Sequence, residues 1–519
     1  MDRKWWTLTA VCTGVFMLLL DITIVNVALP DIQHAFGASL SGLQWVIDAY
    51  ALTLAALLLT SGSLADLFGR RLLFVIGTGV FTAGSLLCGL STGTVFLSLA
   101  RAGQGVGGAI MFATSLALLS GAFHGKERGV AFGVFGAVTG VAVAVGPVLG
   151  GVLTSGLSWR WIFLVNVPIG IAAIAVSLLR LEESRDPGAA RPDWLGFVTF
   201  SGGLALLVFG LIRGGADGWG VRSVVWSLVG SGVLLVVFVV TQLVQDSPMF
   251  EMSLLRKPTF VGGLVAGFGV SASVFSLLTY LVIYVQNVLG YSAVGAGLRF
   301  LFLSGAAFVA ASVAGRLTSH VPTKWLIGPG FLVIGIGLVL IYGITTTSSW
   351  THLIPGLVVS GLGIGMVNVP LASTAVGVVR RERAGMASGV NSTFRQVGIA
   401  TGIAALGSIF SNHVATGVRS ALASTPLAGQ ADKVSTAVTG GQIHQVLAAT
   451  PPRLRGTVAD AATTGFVNAL NHITAIAAVI AFAAGLLCLV LVRQRDFEDH
   501  SGPQAGPAPT GVAVEEPVG

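Results

Sequence analysis

Leu18-Leu19-Leu20-Asp21-Ile22-Thr23-Ile24-Val25-Asn26-Val27-Ala28-Leu29-Pro30 is an apolar run interrupted by one ionisable residue. A charged side chain in hydrocarbon costs at least ~2.5–3.5 kcal/mol on insertion scales, so an acid placed there faces a protein interior and marks a path for ions or cargo. The reading requires the run to lie in a bilayer, and the rest of the chain says that it does. Of 519 residues, 9% are charged and 54% hydrophobic, with a mean hydropathy of +0.88. A soluble domain carries ~25% charged residues.

Apolar stretches long enough to cross ~30 Å of hydrocarbon recur along nearly the whole length. Fourteen are read, at 9–30, 43–65, 72–91, 94–121, 129–155, 161–180, 194–212, 223–244, 259–289, 293–315, 324–344, 352–379, 385–411 and 465–492. The expected fold class is an all-α polytopic membrane protein. The first stretch is too long for a signal peptide, holds Asp21 and lacks a small-x-small cleavage site, so it is expected to remain as helix 1.

Charge placement sets the topology. About eighteen Lys and Arg fall in loops on one side, Arg70, Arg71, Lys126 and Arg380 among them, while the opposite short loops hold Arg160, Arg213 and Arg222. Both termini are therefore expected in the cytoplasm. The net charge of +7 is a topology signal, and no nucleic acid is expected as a partner. Cys12, Cys88 and Cys488 show neither metal spacing nor a disulfide framework. Gly125-Lys126 is followed by Glu127, so there is no nucleotide-binding loop. No metal, no cofactor and no enzymatic activity are expected.

The expected division is a six-helix bundle with its linker (1–193), an inserted helix pair (194–257), a second six-helix bundle (258–495) and a disordered tail (496–519). Glu182 to Asp193, the external loop 412–463 and the tail read as solvated connectors. A faint repeat links Gly62-Ser-Leu-Ala-Asp66-Leu-Phe-Gly69-Arg70-Arg71 with Gly315-Arg-Leu-Thr-Ser-His320-Val-Pro-Thr-Lys324. Repeated halves around a midplane site are a recurrent plan for transporters.

Asp21, Asp48 and Arg101 fall roughly 8–14 Å below the external face at 1.5 Å per residue, so two acids and a base are expected to share a watery cavity able to exchange a proton. Arg101 opens Arg101-Ala-Gly-Gln104-Gly105-Val-Gly107-Gly108, whose Gly105 and Gly108 lie on the arginine's face. Helix 5 carries the small-residue stripe Gly133, Gly136, Gly140, Ala144, Pro147 and Gly151, within Gly146-Pro147-Val148-Leu149-Gly150-Gly151. It reads either as plain tight packing or as a seal between the halves. In the second half Arg299 and Arg395 are the basic residues inside spans, and either suits a carbonyl, an opposing acid or a helix anchor. Tyr284, Gln286, Asn368 and Asn391 are candidate polar lining.

Together these segments resemble the major facilitator superfamily, specifically its fourteen-helix drug:proton antiporters, from Asp21 to about residue 490. Asp21 to Pro30 is similar to that family's helix 1 motif, Gly62 to Arg71 to its loop 2–3 motif and Arg101 to Ala109 to its helix 4 motif. Gly146 to Gly151, continued by Trp159-Arg160-Trp161 and Asn166-Val167-Pro168, is similar to the helix 5 antiporter motif. Leu67 stands where the loop motif usually has arginine, and Ala142 replaces one glycine of the helix 5 pattern. The resemblance implies two six-helix halves plus two central helices. It also implies proton and substrate coupling by Asp21, Asn26, Asp48, Arg101 and Gln104. A cytoplasmic gate would be formed by Gly62, Asp66, Gly69, Arg70 and Arg71, and an antiporter motif by Gly133, Gly146, Pro147, Gly150 and Gly151. Tyr284, Gln286, Arg299, Asn368, Asn391 and Arg395 remain possible lining.

The activity this implies is proton-coupled efflux of a small amphipathic drug or antibiotic by alternating access, by a monomer in the bacterial cytoplasmic membrane. A proton-coupled nutrient or siderophore symporter and a non-transporting sensor or scaffold stay as alternatives. Two membrane acids favour cationic or zwitterionic cargo, while Arg299 and Arg395 suit an anion, so cargo charge stays open.

Overall fold

The computed structural model describes residues 2–38, 40–123, 125–185, 192–318, 320–440 and 443–497. Residues 186–191 of the linker and the tail from 498 onward lie outside the described residues. Among the described residues every regular element is helical. The first half comprises α1 (Arg3–Phe36), α2 (Leu40–Phe68), α3 (Arg70–Gly89), α4 (Thr94–Ala122), α5 (Gly125–Gly156) and α6 (Trp161–Arg180). The inserted pair is α7 (Trp194–Asp217) and α8 (Arg222–Val244). The second half comprises α9 (Pro258–Val288), α10 (Ala293–Leu317), α11 (Lys324–Ile341), α12 (Leu353–Gly377), α13 (Ala384–Leu422) and α14 (Arg455–Leu491). Thirteen of these have the length and composition to cross a membrane among the described residues. The other, α5, carries no charge beyond Arg128. The fourteen expected spans correspond to these helices one by one.

Large apolar side chains such as Leu90, Leu99, Trp226, Val236 and Val490 stand exposed on the outer faces, which suits contact with lipid. Arg3 pairs with Glu182 at 2.8 Å and Lys4 with Glu127 at 2.8 Å. Thr259 Oγ1 donates to Asp496 at 2.7 Å. These contacts tie the start of α1 to the start of α5 and to the segment after α6, and the start of α9 to the segment after α14. Each half thus begins and ends on one side, as an even number of spans requires.

The external segment departs from expectation. α13 has 39 residues and α14 has 37, so at 1.5 Å per residue they run about 58 and 55 Å, well beyond ~30 Å of hydrocarbon. Two short helices, Ala431–Thr439 and Ile443–Ala449, lie between them. Val414, Val418, Leu422, Val434, Val438 and Val458 join the buried core that contains Phe410 and Phe466. The described residues of 412–463 therefore form a folded cap rather than a solvated connector. The Ala-rich composition that suggested a linker is also the composition most favourable to helix. Valines four apart supply the buried stripe.

The inserted pair bridges the halves. α7 packs on α2 and on α13, while α8 packs on α7. Thr60 and Ser201 hydroxyls meet at 2.8 Å, and Trp219 Nε1 donates to Ser408 Oγ at 2.9 Å. Asp193 anchors the pair: its buried carboxylate accepts from Gly196 N at 2.7 Å, Gln242 Nε2 at 2.6 Å and Met249 N at 3.2 Å. Asp193→Ala removes a helix cap and leaves buried donors unpaired, a loss of about 1–3 kcal/mol. A lower thermal unfolding midpoint of the detergent-solubilised variant is the expected readout.

Where the halves meet, the faint repeat becomes geometry. α2 crosses α13 at Gly62, Gly385 and Gly389, and α10 crosses α5 at Gly315 and Gly129. A Cβ on Gly389 would lie 2.6 Å from the Leu58 carbonyl oxygen, and one on Gly315 would lie 2.6 Å from that of Gly129. Gly62 and Gly315, matched in the repeat, thus hold equivalent crossings in the two halves. Gly315→Val forces α5 and α10 apart at a cost of about 1–3 kcal/mol. The expected result is a lower thermal unfolding midpoint of the detergent-solubilised variant, with Gly315→Ala milder than Gly315→Val.

Candidate transport site

Three clusters carry the sequence-derived candidates, and they lie at different places. The first is in the interior of the N-terminal half. Asp21 is wholly buried and Arg101 is 2% exposed. Arg101 Nη1 donates to Asp21 Oδ2 and, at 2.7 Å, to Gln104 Oε1. Gln104 Nε2 donates to Asp21 Oδ1 at 2.8 Å and to Ser85 Oγ at 2.8 Å. Arg101 Nε reaches the Val46 carbonyl at 3.2 Å, and its guanidinium lies 4.1 Å from the Tyr50 ring centroid. Gly105 makes this possible: any side chain there would collide with Thr53 and Tyr50 of α2. Four helices thus converge on one compensated charge pair. Removing either partner leaves an uncompensated buried charge, which typically costs 3–5 kcal/mol.

Asp48 does not share this cluster. It sits two residues from Tyr50, roughly 200° around the helix, on the face of α2 turned toward α7. The charges that act on it are Arg213 and Asp217. Arg213 is 4.9 Å from the Trp45 ring centroid and 3.4 Å from Asp217 Oδ2. The expected cavity of two acids and a base is therefore split: one acid pairs with Arg101, the other faces the inserted pair. Similar depth along a helix axis does not fix azimuth.

The second cluster joins the two halves at the end of α2. Asp66 Oδ1 accepts from Arg70 Nη2 at 2.8 Å and from Gly385 N at 2.9 Å, and Oδ2 accepts from Met386 N at 2.8 Å. Those two amides open α13, so an acid of one half caps a helix of the other and meets the positive end of its dipole. Arg70 Nη2 also donates to the Glu382 carbonyl at 3.0 Å. Gly69 holds a φ of +120°, a conformation glycine tolerates best, and turns the chain from α2 into α3. Arg71 Nη1 donates to the Leu181 carbonyl at 3.1 Å. Sequence reasoning missed Glu183, whose carboxylate caps α3 at the amides of Arg71 and Leu72, each at 3.0 Å. It also missed Gly385 and Gly389, whose spacing of four was a readable helix-contact signal.

The stripe on α5 divides between two roles. Gly146 and Gly150 approach Thr23 and Ile24 of α1, within the same half; Gly133 meets Gly315 and Gly151 meets Val294 of α10, across the halves. The side chains of Asn26 and Pro147 lie outside the described residues.

The third cluster is a narrow cavity between the halves. Phe112, Leu116, Phe135 and Thr139 come from α4 and α5; Asn368, Asn391 and Arg395 come from α12 and α13. Arg395 is eleven residues into α13, about 16 Å from its N-terminal end and so near the middle of a ~30 Å span. The free space suffices for about one water. Of the expected lining, Asn368, Asn391 and Arg395 are here. Arg299 instead stacks at the outer end of α10, 3.4 Å from the Tyr291 centroid and 4.7 Å from that of Trp350. Tyr284 is buried inside the C-terminal half, 6.4 Å from the Phe466 centroid. Gln286 lies near the outer end of α9, away from the cavity lining. Within a span, the sequence distinguishes buried-in-a-half from facing-the-partner only weakly, because both faces are apolar.

Two bundles that close on a midplane cavity and carry a buried ionic pair define a membrane carrier. The chain belongs to the Major Facilitator Superfamily, whose family profile matches residues 11–403. It is 36% identical over 404 residues to multidrug resistance protein Stp of Mycobacterium tuberculosis, covering 78% of this chain and 75% of that one. It is 31% identical over 528 residues to the tetracenomycin C resistance and export protein of Streptomyces glaucescens, covering 98% and 95%. The crystal structure of the human organic anion transporter MFSD10 (TETRAN) covers 93% of this chain and 100% of its own, at a TM-score of 0.59 and 15% identity. That likeness concerns the fold alone.

Proposed function

We propose that the protein exports amphipathic drugs or antibiotics from a bacterial cell by exchanging them for protons, as a monomer in the cytoplasmic membrane with both termini inside. The observation that carries the reading is the buried Asp21, held by Arg101 and Gln104 in a half-bundle core. A carboxyl in that setting gains a proton only if its arginine finds another partner, and Arg101 already touches the Val46 carbonyl and the Tyr50 ring. Its relatives' names, which speak of multidrug resistance and antibiotic export, agree.

The coupling runs along α2. One helix presents Val46 and Tyr50 to Arg101 and, sixteen residues further, Asp66 to the amides of α13. At 1.5 Å per residue that is about 24 Å of rigid lever. Protonating Asp21 removes the charge that Arg101 balances, shifts α2 against α4 and releases the cytoplasmic latch. Cargo then enters the midplane cavity from inside, and proton loss to the cytoplasm restores the ion pair. The proton gradient supplies the energy with no cofactor: one charge moved is worth ~2.3 kcal/mol per 100 mV, roughly fortyfold accumulation.

Inside-out vesicles with an acidified lumen test the reading. A pulse from a panel of dyes, quaternary ammoniums and antibiotics should alkalinise the lumen for exported members. Further acidification would mark a symporter, and no cargo-dependent proton movement across the panel would overturn the proposal.

A further inference from the structure

We infer that the midplane cavity recognises an anionic group, a carboxylate or phenolate on a planar aromatic body, through Arg395. The inference rests on reading the chain as an exporter and names the cargo class of that same cavity. Arg70 and Arg101, the other arginines placed in the interior clusters, each have a protein carboxylate. Among the described residues Arg395 has no hydrogen-bond or ion-pair partner, and it borders the cavity. A guanidinium held in a low-dielectric site without a counter-charge is costly, so such a residue persists where a ligand supplies the charge. Arg presents a planar fork that matches two oxygens.

The cavity's remaining chemistry agrees. Among the described residues no acid lines it: Asp21 is closed inside the N-terminal half and Asp48 faces α7. The two acids that argued for cationic cargo in the sequence are thus absent from the place where cargo passes. Phe112 and Phe135 supply an aromatic wall opposite Arg395. Asn368 Oδ1 and Asn391 Oδ1 are buried without partners, ready to accept from a cargo hydroxyl. Gly267 of α9 leaves room for the arginine stem; a Cβ there would lie 3.2 Å from Arg395 Cγ. With space for about one water, the cavity takes cargo only as the halves part, so the anion enters together with cytoplasmic opening.

The test uses the full-length protein in phosphatidylcholine nanodiscs with three anthracene probes: 9-anthracenecarboxylate, neutral 9-anthracenemethanol and cationic 9-(aminomethyl)anthracene, followed by fluorescence titration. The carboxylate should bind tightest. Arg395→Gln should raise its Kd about tenfold to a hundredfold, the worth of a charge-assisted bond. The alcohol's Kd should stay within about twofold, which also certifies folding. Asn391→Asp, which places an acid beside Arg395, should invert the preference toward the amine. A wild-type protein that ignores probe charge, prefers the amine or binds none of the three overturns the inference, as does unchanged carboxylate affinity in Arg395→Gln. Carboxylate binding that persists without cargo-dependent proton movement in vesicles would sink the exporter reading while leaving the anion site.

Discussion

Asp21→Asn should abolish gradient-driven export while leaving cargo binding intact. The substitution keeps an acceptor for Gln104 and Arg101 but removes the charge, so Arg101 sits in the core uncompensated. A loss of about 3–5 kcal/mol in stability is expected from breaking a buried pair at one partner, and a lower unfolding midpoint would register it. The double variant Asp21→Asn/Arg101→Gln should recover most of that stability without recovering transport. This separates the two roles of the pair. Accumulation against a gradient should fall to the equilibrative level, while cargo exchange across vesicles without a pH gradient continues. Full resistance in cells expressing Asp21→Asn would place proton coupling elsewhere in the chain.

The second large effect concerns the latch. Asp66 joins a buried arginine and two α13 amides across the halves. Asp66→Ala leaves all three donors without their acceptor, and about 3–5 kcal/mol of bias toward the cytoplasm-closed state disappears. At 1.4 kcal/mol per factor of ten, the populations shift by about two to three and a half orders of magnitude. Ala372→Cys, lining the cavity, reports it: a thiol reagent added from the cytoplasmic side should label it much faster in the Asp66→Ala background. The native Cys12, Cys88 and Cys488 are buried and give a low background. Equal labelling rates in both backgrounds would show that the glycine crossing of α2 and α13, not Asp66, keeps that side shut.

Much of the site was legible because deep polarity in a membrane is rare. Asp21, Arg101 and Gln104 stood out against an apolar background and form one hydrogen-bonded network. Gly62, Asp66, Gly69 and Arg70 were found through their spacing. Asp48 was misplaced because distance along the helix axis was weighed without its direction around the helix. Arg395 was visible, but its neighbours on α4, α5 and α12 were not. Phe112, Phe135 and Thr139 look like any other residues of their spans, and only packing turns them toward the partner half. The cap over 412–463 was missed because Ala and Ser serve linkers and helices alike.

By itself the chain's order of residues determined where the long apolar helices fall and which side chains are too polar to face lipid, since burying charge in hydrocarbon costs more than any local preference can offset. What the packed helices alone decided is which polar groups find each other. Rotation about each helix axis costs nothing in hydropathy, so contact between halves, the separation of Asp48 from Asp21 and the solitary charge of Arg395 emerge only when fourteen cylinders settle against one another.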